Sequence, residues 1–180
     1  MILKHIEEKA IELINATNQK SAPIDVIKCA KHLGVLIEYT ELEDDIFGLL
    51  VIKNKKPLII VNTLGNNESR KRFTIAHELG HYLLHSQNAS FFIDKGEIQS
   101  CKRTLETTYE EAKERDANEF ATSLLVPNYL LELEASLTTS DVKFDIVRHL
   151  SEKFKVDEML LGIKLSHLGL LEYGFSSEAN

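Results

Sequence analysis

Hydrophobic and polar positions along this chain repeat with two periods, and each change of period marks an element. The opening stretch "MILKHIEEKAIELINA" places Ile2, Leu3, Ile6, Ala10, Leu13 and Ile14 on one helical face, with acidic residues between them. "SAPIDVIKCAKHLGV" predicts a second helix, with a proline near its start, an apolar face of Val26, Ile27, Ala30 and Leu33, and Gly34 as its stop. "VLIEY" reads as a strand. "IFGLLVIKNKKPLIIVN" is two β-rich runs around a Lys-Asn-Lys-Lys-Pro turn, hence a hairpin. A long helix follows, with Asn66 or Asn67 as its cap. Weak patterning over 88–107 predicts a loop with a short strand near "SFFI". "TTYEEAKERDANEFATSLLVP" is a strongly helical run stopped by Pro127, and helix continues from 128 to about 168. The polar end, 173–180, is expected to fray.

Helices, then strands, then helices predict an α+β fold with a small antiparallel sheet. No linker forces a division, so 1–172 reads as a single domain, with a core of about 22–127 and a helical C-terminal part of about 128–170. Composition adds little to this: 43% hydrophobic and 27% charged residues in a chain of 180 describe an ordinary globular domain able to bury a core. The net charge of −7, from 21 Lys+Arg against 28 Asp+Glu, lacks the basic footprint of a dedicated nucleic-acid binder. The first helix is interrupted by acids, so neither a signal peptide nor a membrane span is expected. Cys29 and Cys101 form neither a CxxC pattern nor a disulfide framework, and are expected to be reduced thiols of a cytoplasmic protein.

The chemistry begins in "FTIAHELGHYLLH", Phe73 to His85. His77 and His81 stand four residues apart, on one helix face with Cβ atoms about 5–6 Å apart. At that separation each imidazole can reach one zinc ion at about 2.0–2.1 Å. Glu78 lies about 100° round the helix, where a carboxylate can take a proton from zinc-bound water. The pattern is HExxH. Phe73, Ala76, Gly80 and Leu84 share the histidine stripe, so the imidazoles should face inward, and Gly80 would let another backbone come close. His85 stands about 12 Å beyond His77 along a straight helix, too far to share a metal with it, and reads as a helix-end residue favoured by the dipole.

A third ligand must then come from elsewhere. In "ERDANEFATSLLVP" the inward stripe is Ala117, Ala121, Leu124 and Leu125, and one turn earlier it meets Glu114. Glu110 and Glu111 are the fallback. Asn118 shares that face and would suit an amide orienting a histidine ligand. Glu119 lies about 140° away and should be solvated.

"RFTIAHELGHYLLH" followed by "ERDANEFATSLLVP" resembles the ImmA/IrrE-type zinc metallopeptidases, with their AHExxH helix and a later ExxAN-FA-LL-P helix. The resemblance runs from about Asp25 through Pro127 and loosely beyond. It implies a zincin-like mini-domain whose sheet packs on the HExxH helix, one Zn2+ per chain on His77, His81 and Glu114, and Glu78 as catalytic acid/base. It also implies a cytoplasmic endopeptidase whose partner substrate is a helix-turn-helix repressor, cleaved to relieve repression.

Other readings assign these or other residues a different task. A regulator that holds zinc and binds a repressor without cutting it would share the same ligands. The C-terminal "IVRHLSEKFKVDEMLLGIKLSHLGLL" loosely resembles a helix-turn-helix with Lys164, Ser166 and His167 as its DNA contacts, but Asp157 and Glu158 lead that helix and repel phosphates. Val156, Met159, Leu160, Ile163 and Leu168 read better as a packing face, so no direct nucleic-acid binding is expected. The strand "DIFGLLVI" could take an extended substrate at a sheet edge, with Gly48 allowing close approach, or be an ordinary core strand. Tyr109, Arg115 and His167 are the candidates for stabilising an oxyanion.

Overall fold

The computed structural model describes residues 2–43, 45–86, 91–95, 109–138 and 143–171. Helices α1 (Ile2–Ala16) and α2 (Val26–His32) come first, followed by strands β1 (Leu36–Thr40), β2 (Ile46–Lys53) and β3 (Lys56–Asn62). Next are α3 (Glu68–His85), β4 (Phe91–Lys95) and α4 (Tyr109–Leu125). Helices α5 (Asn128–Leu137), α6 (Lys143–Phe154) and α7 (Glu158–His167) complete the described chain. This is the expected α+β layout. The expected loop flanking the "SFFI" strand, and the tail 173–180, fall outside the described residues, as does Cys101.

The sheet runs β1-β3-β2-β4. β2 pairs antiparallel with β3 and with β4, whereas β1 joins β3 in parallel, so the sheet is mixed where a purely antiparallel one was expected. The reason is local. β2 and β3 form a hairpin whose two-residue turn, Asn54 and Lys55, has φ of 52° and 62°, the left-handed pair that matches strand twist. With one side of β3 taken by its hairpin partner, β1 occupies the other. β2 is therefore an inner strand, and its edges are closed to an added substrate strand.

Alternation along the sheet aims one face at α3. Pro57, Ile59 and Val61 of β3 are buried, and Gly48 and Leu50 of β2 stand opposite Val61 and Ile59. Helix α3 lies on β2 and β3 on one side and against α4 on the other, and α1 packs on α4. Its middle is therefore enclosed all round: Thr74 through His81 are buried without a break. Phe73 and Leu84, expected on the inward stripe, are only half-buried because they lie in the turns flanking that span. Asn67 caps α3, its side chain accepting from the Arg70 N–H at 2.8 Å. Of the expected α2 face, Val26 and Ala30 are buried and Leu33 half-buried, but Ile27 is 46% exposed, because Cys29 takes the inward position.

Two glycines set how close α3 comes to its neighbours. A Cβ on Gly80 would meet Ala117 Cα at 3.0 Å, the Ala117 carbonyl oxygen at 3.1 Å and Phe120 Cβ at 3.2 Å. Backbone of α4 thus occupies the space a side chain would need. Of the two readings of Gly48, close approach of a substrate or an ordinary core strand, the packing fits the second: the methyl of Thr74 fills the place of its missing Cβ, and a Glu78 carboxylate oxygen lies 3.5 Å away.

The C-terminal helices are tied to α3 by Arg72. Its guanidinium donates to the carbonyls of Ile24 at 2.9 Å, Phe154 at 3.4 Å and Lys155 at 3.2 Å. Within them the inward positions are Leu150, Phe154, Val156, Leu161 and Leu165. Met159 and Ile163, expected to pack, are 67% and 48% exposed, because α7 turns inward the face bearing 161, 165 and 168.

Gly80→Ala is expected to destabilise the protein by about 1–3 kcal/mol, since fixed backbone must move. Gly162, in α7, has nothing within 4 Å of a Cβ, so Gly162→Ala should instead stabilise by about 0.4–1 kcal/mol. Denaturant unfolding of both variants checks the contrast, and equal effects would contradict it.

Candidate metal centre

α3 and α4 bring together two residues from one helix and one from the other. His77 Nε2 and His81 Nε2 are 2.9 Å apart. Glu114 Oε2 lies 3.3 Å from His77 Nε2, and Glu114 Oε1 lies 3.2 Å from His81 Nε2. His77 and His81 are 2% and 1% exposed, while Glu114 is half-buried at the open side. Among the described residues, these three form the group whose ligand atoms converge closely enough to hold a metal. His85 ends α3 and belongs to no such group, and the fallback Glu110 and Glu111 lie in the first turn of α4.

Asn118 explains which nitrogens face the centre. Its Oδ1 is 3.0 Å from His77 Nδ1, so Nδ1 carries the proton and donates, leaving the Nε2 lone pair aimed at Glu114. Three groups rich in lone pairs then face each other across about 3 Å. A single proton on His81 Nε2 can satisfy one such approach and not all of them, so the arrangement calls for a shared cation. The spacing fits one. Donors about 2.05 Å from a tetrahedral ion are separated by about 3.3 Å, matching the nitrogen–oxygen distances, with the two nitrogens somewhat closer. Two imidazoles and a carboxylate are also a donor set suited to zinc.

Electrostatics follow the same geometry. Burial lowers the proton affinity of His81, with its neighbour His77 acting in the same direction and Glu114 opposing. For Glu114 burial alone would raise the carboxyl pKa, but the close approach of His77 and His81 outweighs it and holds the value down to about 2. A neutral imidazole beside an ionised carboxylate is the protonation state a metal requires.

Glu78 is wholly buried one residue beyond His77, with its carboxylate toward Gly48 on the sheet. The oxyanion candidates are placed less tightly. Tyr109 is 69% exposed with Lys113 Nζ 4.3 Å from its ring centroid, and Arg115 and His167 are exposed. Lys164 is only 8% exposed, so it is not presented for phosphates as a DNA-contacting residue would be. Glu119, expected to be solvated, is half-buried and accepts from Ser123 Oγ at 3.4 Å. The α4 stripe omitted Phe120, which is fully buried against Gly80; its position between Ala117 and Ala121 was the available signal.

An HExxH pair on one helix, with a glutamate from the next helix beside it, is the donor arrangement of the zinc-peptidase class. Residues 30–166 match the profile of the IrrE N-terminal-like domain, Peptidase_M78, and the chain belongs to that family. No curated protein matches it significantly. Among solved structures it is similar to a Mycobacterium tuberculosis transcriptional regulator, with a TM-score of 0.62 and 16% identity. That likeness, which concerns the fold, covers 91% of this chain and 46% of the regulator, so the chain spans about half of that protein's length. No helix among the described residues is long and apolar enough to cross a membrane.

Two predictions follow from the site. Asn118→Ala frees the His77 ring to rotate and change tautomer, so zinc affinity should fall about 10–100-fold in a chelator competition; an unchanged affinity contradicts the orienting role. For the metal-free protein, the folded state binds the His81 proton less tightly than an imidazole of ordinary pKa 6.5. The unfolded chain then takes up more protons on acidification, and stability is lost as pH falls below about 6.5. The urea midpoint should be lower at about pH 5.5 than at about pH 7.5, and a rise would contradict this.

Proposed function

We propose that this chain is a cytoplasmic zinc-dependent endopeptidase acting on a protein substrate, a helix-turn-helix repressor whose cleavage relieves repression. The observation that carries the reading is the convergence of His77, His81 and Glu114 with Glu78 buried beside them. Membership of a peptidase family supports the reaction class. The likeness in fold to a transcriptional regulator is compatible with a role in gene control.

His77 Nε2, His81 Nε2 and the Glu114 carboxylate would hold the zinc, with Asn118 fixing the His77 ring. Bound there, zinc lowers the pKa of water to about 7 and polarises a peptide carbonyl. Glu78 accepts the proton of the attacking water and then delivers a proton to the leaving amine nitrogen. Burial of its carboxylate between α3 and β2 keeps that proton from exchanging freely with solvent. Glu114 sits at the exposed side of the centre, so substrate enters over α4.

Glu78→Gln should retain zinc near one per chain while lowering the rate of repressor cleavage by at least about 100-fold. Mass spectrometry of a co-incubated helix-turn-helix repressor reads the outcome. Defined fragments with the native protein and none with the variant support the peptidase; equal fragments from both would remove Glu78 as the base. Binding without fragments from either points to a regulator that occupies its partner uncut.

A further inference from the structure

Strand β1 ends the sheet, and its outer edge is open. It pairs with β3 alone, and in a parallel pair every second residue turns its N–H and C=O away from the partner. Among the described residues nothing hydrogen-bonds to those outward groups. Four of the five residues of β1 are exposed, Leu36 at 62% and Tyr39 at 52%. Free edges are commonly blunted by lysine, proline or a bulge. "LIEYT" has neither of those residues, and its register with β3 is unbroken.

Two shallow grooves flank that edge and meet at Leu36. Register puts Ile37 beside Ile59 on the face toward α3, and Leu36 beside Leu58 and Val51 on the opposite face. On the α3 side, Ile27 and Lys31 of α2 line a groove of about 310 Å³ with Leu36 and Ile37. On the other, Leu36, Leu58 and Val51 line one of about 370 Å³ with Lys53 and Lys56 of the hairpin. No carboxylate lines either groove. Among the described residues Lys31, Lys53 and Lys56 take part in no ion pair. In a chain of net charge −7, three unpaired cations beside apolar walls stand out as a local exception.

We propose that β1 is a docking edge for the protein substrate, which adds an extended segment to the sheet with acidic residues beside its apolar ones. Side chains of a strand alternate between faces, so consecutive residues of the added segment enter the two grooves, one on each side. Main-chain hydrogen bonds to β1 supply affinity, and the lysines select carboxylates near Leu36. Glu38, two residues along on the Leu36 face, disfavours an acid opposite itself and so helps set the register. β2, where Gly48 meets Glu78, lies two strands in from β1, about 10 Å at ordinary strand spacing. Docking at β1 therefore leaves the metal centre open to another segment of the same substrate. The inference rests on the peptidase reading for the identity of the occupant, and on β1 and its grooves for the chemistry.

The test uses the full chain carrying Glu78→Gln, so that binding is read without cleavage. The probe is a short peptide alternating valine and threonine, with two aspartates at each end. Amide NMR titrations compare it with a lysine-ended counterpart and with two forms N-methylated on alternate residues. The expected result is perturbation centred on residues 36–40, slowed hydrogen exchange there, and weaker binding as salt is added. Lys53→Glu with Lys56→Glu, both at exposed positions, should weaken binding by at least about 5-fold. One methylated form should bind and the other fail, since only one set of amides faces β1. Equal binding of acidic and basic peptides, equal behaviour of the two methylated forms, or no perturbation at 36–40 overturns the docking edge. So does a dimer in sedimentation whose β1 amides are already protected, because a second copy then fills the edge. Fragments from a helix-turn-helix repressor with the native protein, but no peptide binding, reject the edge alone. Peptide binding without fragments rejects the peptidase reading, and the substrate as occupant with it, while the edge stands.

Discussion

Where Gly80 faces Ala117, the backbones of α3 and α4 touch with no side chain between them, and the position of every other group in the centre follows from that contact. An imidazole reaches only a short way from its helix, and so does a carboxylate. For nitrogens of one helix and an oxygen of the next to stand 3.2–3.3 Å apart, the helices must be pressed together over the same turns that bear those side chains. Gly80 lies directly before His81, and Ala117 lies between Glu114 and Asn118. The small residues and the polar ones are thus interleaved: one set allows the approach that the other set needs.

The opposite side of α3 shows the same economy. Gly48 lets Thr74 and Glu78 settle on β2, so the glutamate is enclosed between helix and sheet while the histidines face the neighbouring helix. One helix therefore presents a carboxylate to the sheet and two imidazoles to the neighbouring helix. That division accounts for a helix middle buried on all sides yet carrying three ionisable residues. Buried groups of this kind persist where partners or a cation compensate them.

Much of this was legible in the sequence, for reasons that differ by element. His77, Glu78 and His81 were readable because a single helix fixes their mutual placement, and periodicity on α4 reached Glu114 and Asn118 because their face continues a run of small and apolar residues. The hairpin was readable from its turn. The parallel seat of β1 was not, because strand order depends on which side of β3 remains available after the hairpin closes. The face of α7 also escaped, since Met159 and Ile163 fit a helical stripe as well as Leu161 and Leu165 do, and only the direction from which α6 approaches separates them. The Thr74–Gly48 contact needed knowledge of what lies across that glycine.

The central claim is a zinc ion bound between α3 and α4 by two nitrogens and a carboxylate. X-ray absorption at the zinc edge of the purified protein tests it most directly. The account predicts two imidazole shells and oxygen scatterers, all at about 2.0–2.1 Å. A sulfur shell at about 2.3 Å, three or more imidazoles, or no zinc taken up at all would contradict it.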